Sequence, residues 1–412
     1  MRGRKHAVFL AAVALLALHV LDDGFLQPEP GTSAGDHVLY VAVFLAAFAF
    51  AAAVYGRAPA GFRAALAFLF GVVALTYGAM AVGEARGQGL AGHDYTGLLL
   101  LPAGVALLVV AVLELWRSRR TGGSRGRRWG RRALLALAAV VFGFLVVLPV
   151  ALAILTTHRP RVVVEAADLG RPHEEVTITT EDGLDLAGWY VPSENGAAVI
   201  VFPGRTSRVP HARLLADAGY GVLMVDMRGQ GESEGDPNLL GWDSPKDLAA
   251  AIDFLRARPD VEEGRIGGIG FSVGGEQMIQ AAAENEALRA VVSEGAGERS
   301  WRETSLQPNG GWPGIAEVAV WNAVVAVISG DAPPPSLEDL VAEISPRPLF
   351  LIHARHGQGG ENLNPVYFEA AGEPKELWEI TTGGHTEGLA SEGEEYERRV
   401  LGFFDDALAG RR

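Results

Sequence analysis

Within the first 156 residues lie five stretches almost free of charge: Ala7–Leu21, Val38–Tyr55, Phe62–Val82, Gly97–Leu115 and Ala133–Leu155. Four of them reach the roughly 18 residues needed to cross the hydrocarbon core of a bilayer. They leave no polar face to meet water, as a helix on the surface of a soluble fold must. Residues 1–156 are therefore expected to form an all-α transmembrane domain of about five helices, and residues 157–412 a separate soluble domain. The first stretch is shorter and follows the basic segment Met1–His6, the pattern of a signal peptide. No small-x-small cleavage site comes after it, the chain continuing His19-Val20-Leu21-Asp22-Asp23, so an uncleaved first span is expected.

The formal charge of −14 conceals a division at the same boundary. Before residue 157 there are 14 Lys+Arg and 7 Asp+Glu; from there on there are 21 and 42. If the N-terminus is cytoplasmic, Arg2, Arg4, Lys5, Arg57, Arg63 and eight arginines from Arg117 to Arg132 all fall inside, and Arg86 alone falls outside. That arrangement follows the positive-inside rule and, with an odd number of spans, places the second domain outside the cytoplasm. The arginine run, pinned between two apolar spans, suits anionic lipid headgroups better than nucleic acid. The acidic second domain disfavours polyanionic partners. Cysteine is absent, which excludes disulfides, thiol catalysis and cysteine metal sites. No metal and no cofactor is expected.

The second domain alternates strand-like and helix-like segments. Val176–Thr180 and Leu184–Val191 flank a hairpin turn, Glu181-Asp182-Gly183. Ala197–Phe202 is an apolar run of the kind buried on both faces of a sheet. Strands are expected further at Gly221–Met227, Arg265–Phe271, Ala290–Ser293, Leu349–His353 and Lys375–Ile380, and helices at Val209–Ala218, Pro245–Arg258, Val273–Asn285 and Glu392–Leu408. This alternation implies an α/β fold, a mostly parallel sheet with helices on both faces. Glu294–Ile344 breaks the rhythm with three tryptophans and Pro333-Pro334-Pro335, and reads as an inserted cap.

Gly270-Phe271-Ser272-Val273-Gly274 stands where a strand turns sharply into a helix. A serine on so tight a turn is lifted clear of the sheet, and the helix N-terminus beneath it offers N–H groups to a developing oxyanion. The same five-residue pattern recurs around Ser124 and Ser233. Ser124 has no strand before it and Ser233 no helix directly after it, so Ser272 is the candidate nucleophile.

With Phe202-Pro203-Gly204 after the third strand, Asp226-Met227-Arg228-Gly229-Gln230-Gly231 after the fourth, the Ser272 turn and Gly383-Gly384-His385, the domain resembles the α/β-hydrolase superfamily from about Val176 to Ala409. The branch it resembles is serine-peptidase-like or dienelactone-hydrolase-like. The resemblance implies a triad in the order serine, acid, histidine. His385, near the C-terminus and flanked by glycines, then takes the histidine role, and His353 reads as structural. Such hydrolases usually carry an aspartate about four residues beyond the His353 position, where this chain has Gly357. The first carboxylate after His353 is Glu361, which becomes the candidate acid, with Glu294 and Glu298 as alternatives after the preceding strand. The oxyanion donors expected are the backbone N–H groups of Val273 and Arg205, while Asp226 and Arg228 brace the adjoining loop.

These readings converge on a membrane-anchored serine hydrolase acting on a small-molecule ester, thioester or peptide, with the lipid bilayer as its other partner and no nucleic acid. The alternative is a catalytically silent hydrolase fold serving as a sensor coupled to the membrane helices. A transporter is disfavoured because the spans hold almost no ionisable residues.

Overall fold

A computed structural model describes residues 2–88, 94–117, 124–158, 169–204, 208–307 and 311–408. The chain divides into two compact units, one of Met1–Pro160 with Ala316–Asp331 and one of Arg161–Ile315 with Ala332–Arg412.

The first unit is helical. It contains α1 (Arg2–Leu21, continued by a π turn, Asp22–Leu26), α2 (Val38–Tyr55), α3 (Ala60–Gln88) and α4 (Asp94–Arg117). Then α5 (Arg125–Phe142) runs through a second π turn, Gly143–Val147, into α6 (Leu148–Thr157). By length and composition, Gly3–Leu26, Val38–Tyr55, Ala60–Gly83, Tyr95–Trp116 and Trp129–Thr157 suffice to cross a membrane. The first is longer than the apolar run in the sequence because the π turn carries the helix past Leu21. Ionisable groups gather at the helix ends and are paired there. Glu114 accepts from Lys5 at 2.8 Å and from Arg63 at 2.6 Å. At the opposite ends Thr96 donates to Asp22 at 2.8 Å. Pairing of this kind is what makes charge tolerable in an apolar bundle.

The second unit is built on eight strands: β1 (Glu174–Thr179), β2 (Asp185–Val191), β3 (Ala198–Phe202), β4 (Gly221–Val225), β5 (Ile266–Phe271), β6 (Leu288–Glu294), β7 (Leu349–Ala354) and β8 (Lys375–Ile380). Their order in the sheet is β1-β2-β4-β3-β5-β6-β7-β8, antiparallel at β1/β2 and β2/β4 and parallel elsewhere. Every residue of β3, β4, β5 and β7 is buried, which is why these segments read as unbroken apolar runs. The helices of this unit are α7 (Val209–Asp217), α8 (Ser244–Arg256), α9 (Val273–Glu284), α10 (Trp301–Leu306), α12 (Leu337–Leu340), α13 (Asn364–Ala370) and α14 (Gly388–Leu408), while α11 (Trp312–Ser329), between α10 and α12 in the chain, falls from Ala316 onward in the first unit. Leu248, Ile252, Met278 and Ile279 of α8 and α9 pack in one core; Leu215, Phe403, Phe404 and Leu408 of α7 and α14 pack in the other. These are the helices on the two faces of an α/β-hydrolase sheet.

Several details differ from the sequence reading, among them β4, which ends at Val225, short of Met227. β6 extends through Glu294, so the inserted segment begins beyond that residue. α14 starts at Gly388, four residues early, because Gly393 interrupts it with φ 29° and hides its periodicity. The inserted segment itself contributes to both units, since Ala316–Asp331 groups with the apolar helices.

Candidate active site

Ser272 occupies the turn between β5 and α9 with φ 54° and ψ −126°, a conformation that L residues other than glycine rarely adopt. The turn is possible because its neighbours lack side chains. A Cβ on Gly270 would lie 2.2 Å from the Gly274 carbonyl oxygen, and one on Gly274 would lie 2.4 Å from that of Pro203. The Ser272 N–H is held by the Glu294 carbonyl at 2.8 Å, which locks the turn to the end of β6. Val273 is the first residue of α9, and N–H groups in a first helical turn have no acceptor within the helix. The expected second donor, Arg205, lies outside the described residues.

His385 sits on the loop between β8 and α14. Its Nε2 is 2.8 Å from Ser272 Oγ, and its Nδ1 is hydrogen-bonded to Glu361 Oε1. Glu361 is buried, 1% exposed, and its other oxygen accepts the Ala354 N–H at 3.0 Å, so both oxygens are committed. The three side chains therefore form one hydrogen-bonded series, serine to imidazole to carboxylate.

The vacancy at position 357 has a steric cause. A Cβ on Gly357 would lie 1.7 Å from Glu361 Oε2. The glutamate, starting four residues later, fills the space into which a side chain at 357 would project. Gly295 clears the other side: a Cβ there would be 2.7 Å from Glu361 Oε1 and 3.2 Å from His385 Cε1.

The two alternative acids are otherwise engaged. Glu294 is buried and accepts from the Gly388 N–H at 2.9 Å and the Tyr396 hydroxyl at 2.6 Å. Glu298 meets Gln307 at 3.4 Å, and burial pushes its carboxyl above the usual range. The rival serines are structural. Ser233 Oγ accepts the Ala187 N–H at 2.9 Å and donates to the Asp226 carbonyl at 2.7 Å, while Ser124 caps α5. Arg228 binds Asp182 at 2.8 Å and Asp247 at 2.7 Å, a brace for its loop. Asp226, pushed up to about 6 by burial, accepts the Glu232 N–H within the same loop. His353 is buried on β7, and desolvation lowers its pKa.

Arg208 escaped the sequence reading. Buried at the start of α7, it donates to the Thr386 hydroxyl at 2.6 Å and the Thr386 carbonyl at 3.2 Å. Its guanidinium also lies 4.6 Å from the centre of the Phe271 ring. It thus ties the residue after His385 to the residue before Ser272. The one sequence signal was an arginine just before an otherwise apolar helix start.

Comparison with known proteins agrees with this architecture. The family model described as X-Pro dipeptidyl-peptidase (S15 family) matches residues 157–348, a span that holds Ser272 and ends before Glu361 and His385. The esterase Pf2001 of Pyrococcus furiosus is 26% identical, with a TM-score of 0.50, over 61% of this chain and 99% of that one. The protein YfhR of Escherichia coli is 28% identical over 250 residues, 57% of this chain and 81% of its own length. A thiohydrolase, aneE, of Aspergillus aculeatus is 32% identical over 131 residues, 30% of this chain and 41% of its own length. With its eight-stranded sheet and its S15 match, the chain is a hydrolase of the α/β-hydrolase superfamily, esterase- or peptidase-like in kind.

Proposed function

We propose that the protein is a membrane-anchored serine hydrolase that cleaves an ester, thioester or peptide bond through an acyl-enzyme. The observation that carries this reading is the hydrogen-bonded series Ser272–His385–Glu361. Ser272 Oγ attacks the substrate carbonyl carbon while His385 Nε2 takes its proton. Glu361, accepting from Nδ1, fixes the imidazole tautomer and stabilises the imidazolium that forms. The Val273 N–H, aided by that of Arg205, stabilises the oxyanion. Collapse of the tetrahedral intermediate expels the alcohol, thiol or amine with the proton returned by His385. Water, deprotonated by the same imidazole, then releases the acid and restores Ser272.

A fluorophosphonate probe tests the reading directly. The wild-type protein should be labelled, and Ser272→Ala should lose both label and turnover, the latter by roughly 10³-fold or more. Ser124→Ala and Ser233→Ala should retain the label. Label persisting on Ser272→Ala would sink the assignment.

A further inference from the structure

The cap carries a helix whose composition suits lipid better than water. α11 runs over Trp312–Ser329 and is long and apolar enough to count as a sixth candidate span. Asn322, Val325 and Ile328 form its buried stripe. At 100° per residue the opposite face comprises Trp312, Ala316, Ala319, Val320, Ala323 and Val327. None of these is polar, Ala319 and Ala323 are exposed, and Trp312 is 71% exposed. A helix facing water presents its charges there. Here the single charge, Glu317, falls toward the stripe side.

Yet α11 cannot cross. The chain leaves the sheet at β6 and returns at β7, and these strands pair from Val291↔Leu349 to Glu294↔Ile352. The roots of the cap are also pinned to each other. Arg299 Nη2 donates to the Pro335 carbonyl at 2.7 Å, and the Leu337 N–H donates to Glu303 at 2.6 Å. A single crossing would put these partners on opposite sides of the bilayer. Nor can the return segment cross back, since it contains three consecutive prolines, Asp331, Glu338, Asp339 and Arg347. An 18-residue helix is about 27 Å long, and a five-residue tether on either side reaches only about 17 Å. With its polar roots held at the water side, a helix inserted along the membrane normal would carry its far end about 27 Å from them, beyond the reach of the one tether that must return. It must lie across.

The roots also reach the candidate site. Gln307 accepts from the Asn362 side chain at 2.5 Å, next to Glu361, and the Glu298 N–H donates to the Gly359 carbonyl at 2.9 Å. Trp301, on α10, is 55% exposed, and tryptophan is characteristic of the membrane–water interface.

We propose that α11 lies in the surface of the bilayer that anchors the protein, and that the substrate is a long-chain acyl ester or thioester drawn from that bilayer. This rests on the membrane-anchored serine hydrolase reading and narrows its substrate. An interfacial apolar face buried to the acyl boundary holds the cap where such a tail is presented.

Because the chain has no cysteine, single cysteines report position cleanly. Full-length Ala319→Cys and Ala323→Cys, labelled with bimane in phosphatidylcholine vesicles, should be quenched by spin-labelled lipid several-fold more than Asp253→Cys on the exposed face of α8. They should approach Phe50→Cys on α2, which is 65% exposed in the helical unit. Quenching at 50 without quenching at 319 and 323 would overturn the interfacial helix while leaving the anchor intact. No quenching at 50 would overturn the anchored reading, and this proposal with it. The double variant Ala319→Glu/Ala323→Glu should lose roughly tenfold or more in kcat/KM on a vesicle-borne long-chain ester, since each charge is costly in lipid. Its turnover of a short soluble ester should be unchanged, which also shows that the variant folds. Equal effects on both substrates would overturn the lipid-substrate claim without touching the role of Ser272.

Discussion

A carboxylate that reaches an imidazole from position 361 needs the longer glutamate side chain and an empty place at position 357. Gly357 provides the space, since any Cβ there would collide with Glu361. The resemblance made Glu361 a candidate, as the first carboxylate after the place where such hydrolases carry their aspartate; the reason for the glycine needs three dimensions. If the two positions are alternative origins for one carboxylate, they should exchange. Glu361→Gly should lower kcat by roughly 10²–10⁴-fold, the scale on which losing the imidazole's partner acts. Gly357→Asp alone should be impaired by the clash, and Gly357→Asp/Glu361→Gly should regain tenfold or more over Glu361→Gly. A double variant no better than Glu361→Gly would refute the exchange. Glu298→Gln should stay within about twofold of wild type, as its carboxylate serves the cap. Ser272 was legible because its glycines flank a strand end and a helix start. Arg208 was not, because its partner Thr386 lies 178 residues away and no local pattern announces such a contact.

At the scale of elements, all eight strands were readable: β3, β4, β5 and β7, buried on both faces, leave continuous apolar runs, and the partly exposed β1 and β2 are marked by the turn between them. The short helix α13 and the cap helices were not, because they have no clear amphipathic period. The turn from β5 into α9 carries its own prediction. Gly270→Ala pushes a Cβ to 2.2 Å from the Gly274 carbonyl, so it should destabilise the domain by about 3 kcal/mol or more and shift its denaturant midpoint. Unaltered stability would mean the turn is looser than described. Helix α7 supplies a pH prediction. Its His211 ring is buried, with its centre 4.4 Å from that of Phe271, beside Arg208 and Tyr396. Burial, reinforced by the Arg208 charge, lowers its pKa to about 3. The unfolded chain binds a proton near pH 6.5 and the folded chain does not, so stability should fall as pH drops from about 6.5 to 3. The slope from this group is at most about 1.4 kcal/mol per pH unit. His211→Phe should flatten that limb; an unchanged slope would show that the ring is protonated in place.

At the scale of the whole molecule, the sequence divides into a basic, apolar part and an acidic, alternating one, and orientation turns on how many helices cross. Among the described residues, six helices meet the length and composition for crossing. The sheet restricts the count, because Ser272 follows β5 while Glu361 and His385 follow β7 and β8, and all three strands belong to one sheet. Any crossing by α11 would separate them, so parity depends on the five helices before residue 158. If all five cross, the arginine-rich link 117–132 and the C-terminus lie on opposite sides. With 13 of the 14 basic residues before residue 157 then favouring the cytoplasm, the link should be inside and Arg412 outside. Alkaline phosphatase fused after Arg412 should be active, and fused within the link it should be silent. A fluorescent protein that folds only in the cytoplasm should give the reverse pattern. Both sites on one side would mean that the helix from Trp129 to Thr157 does not cross. A silent phosphatase at Arg412 with an active one in the link would invert the molecule, put the hydrolase unit in the cytoplasm, and leave the arginine run unexplained by the membrane's charge asymmetry.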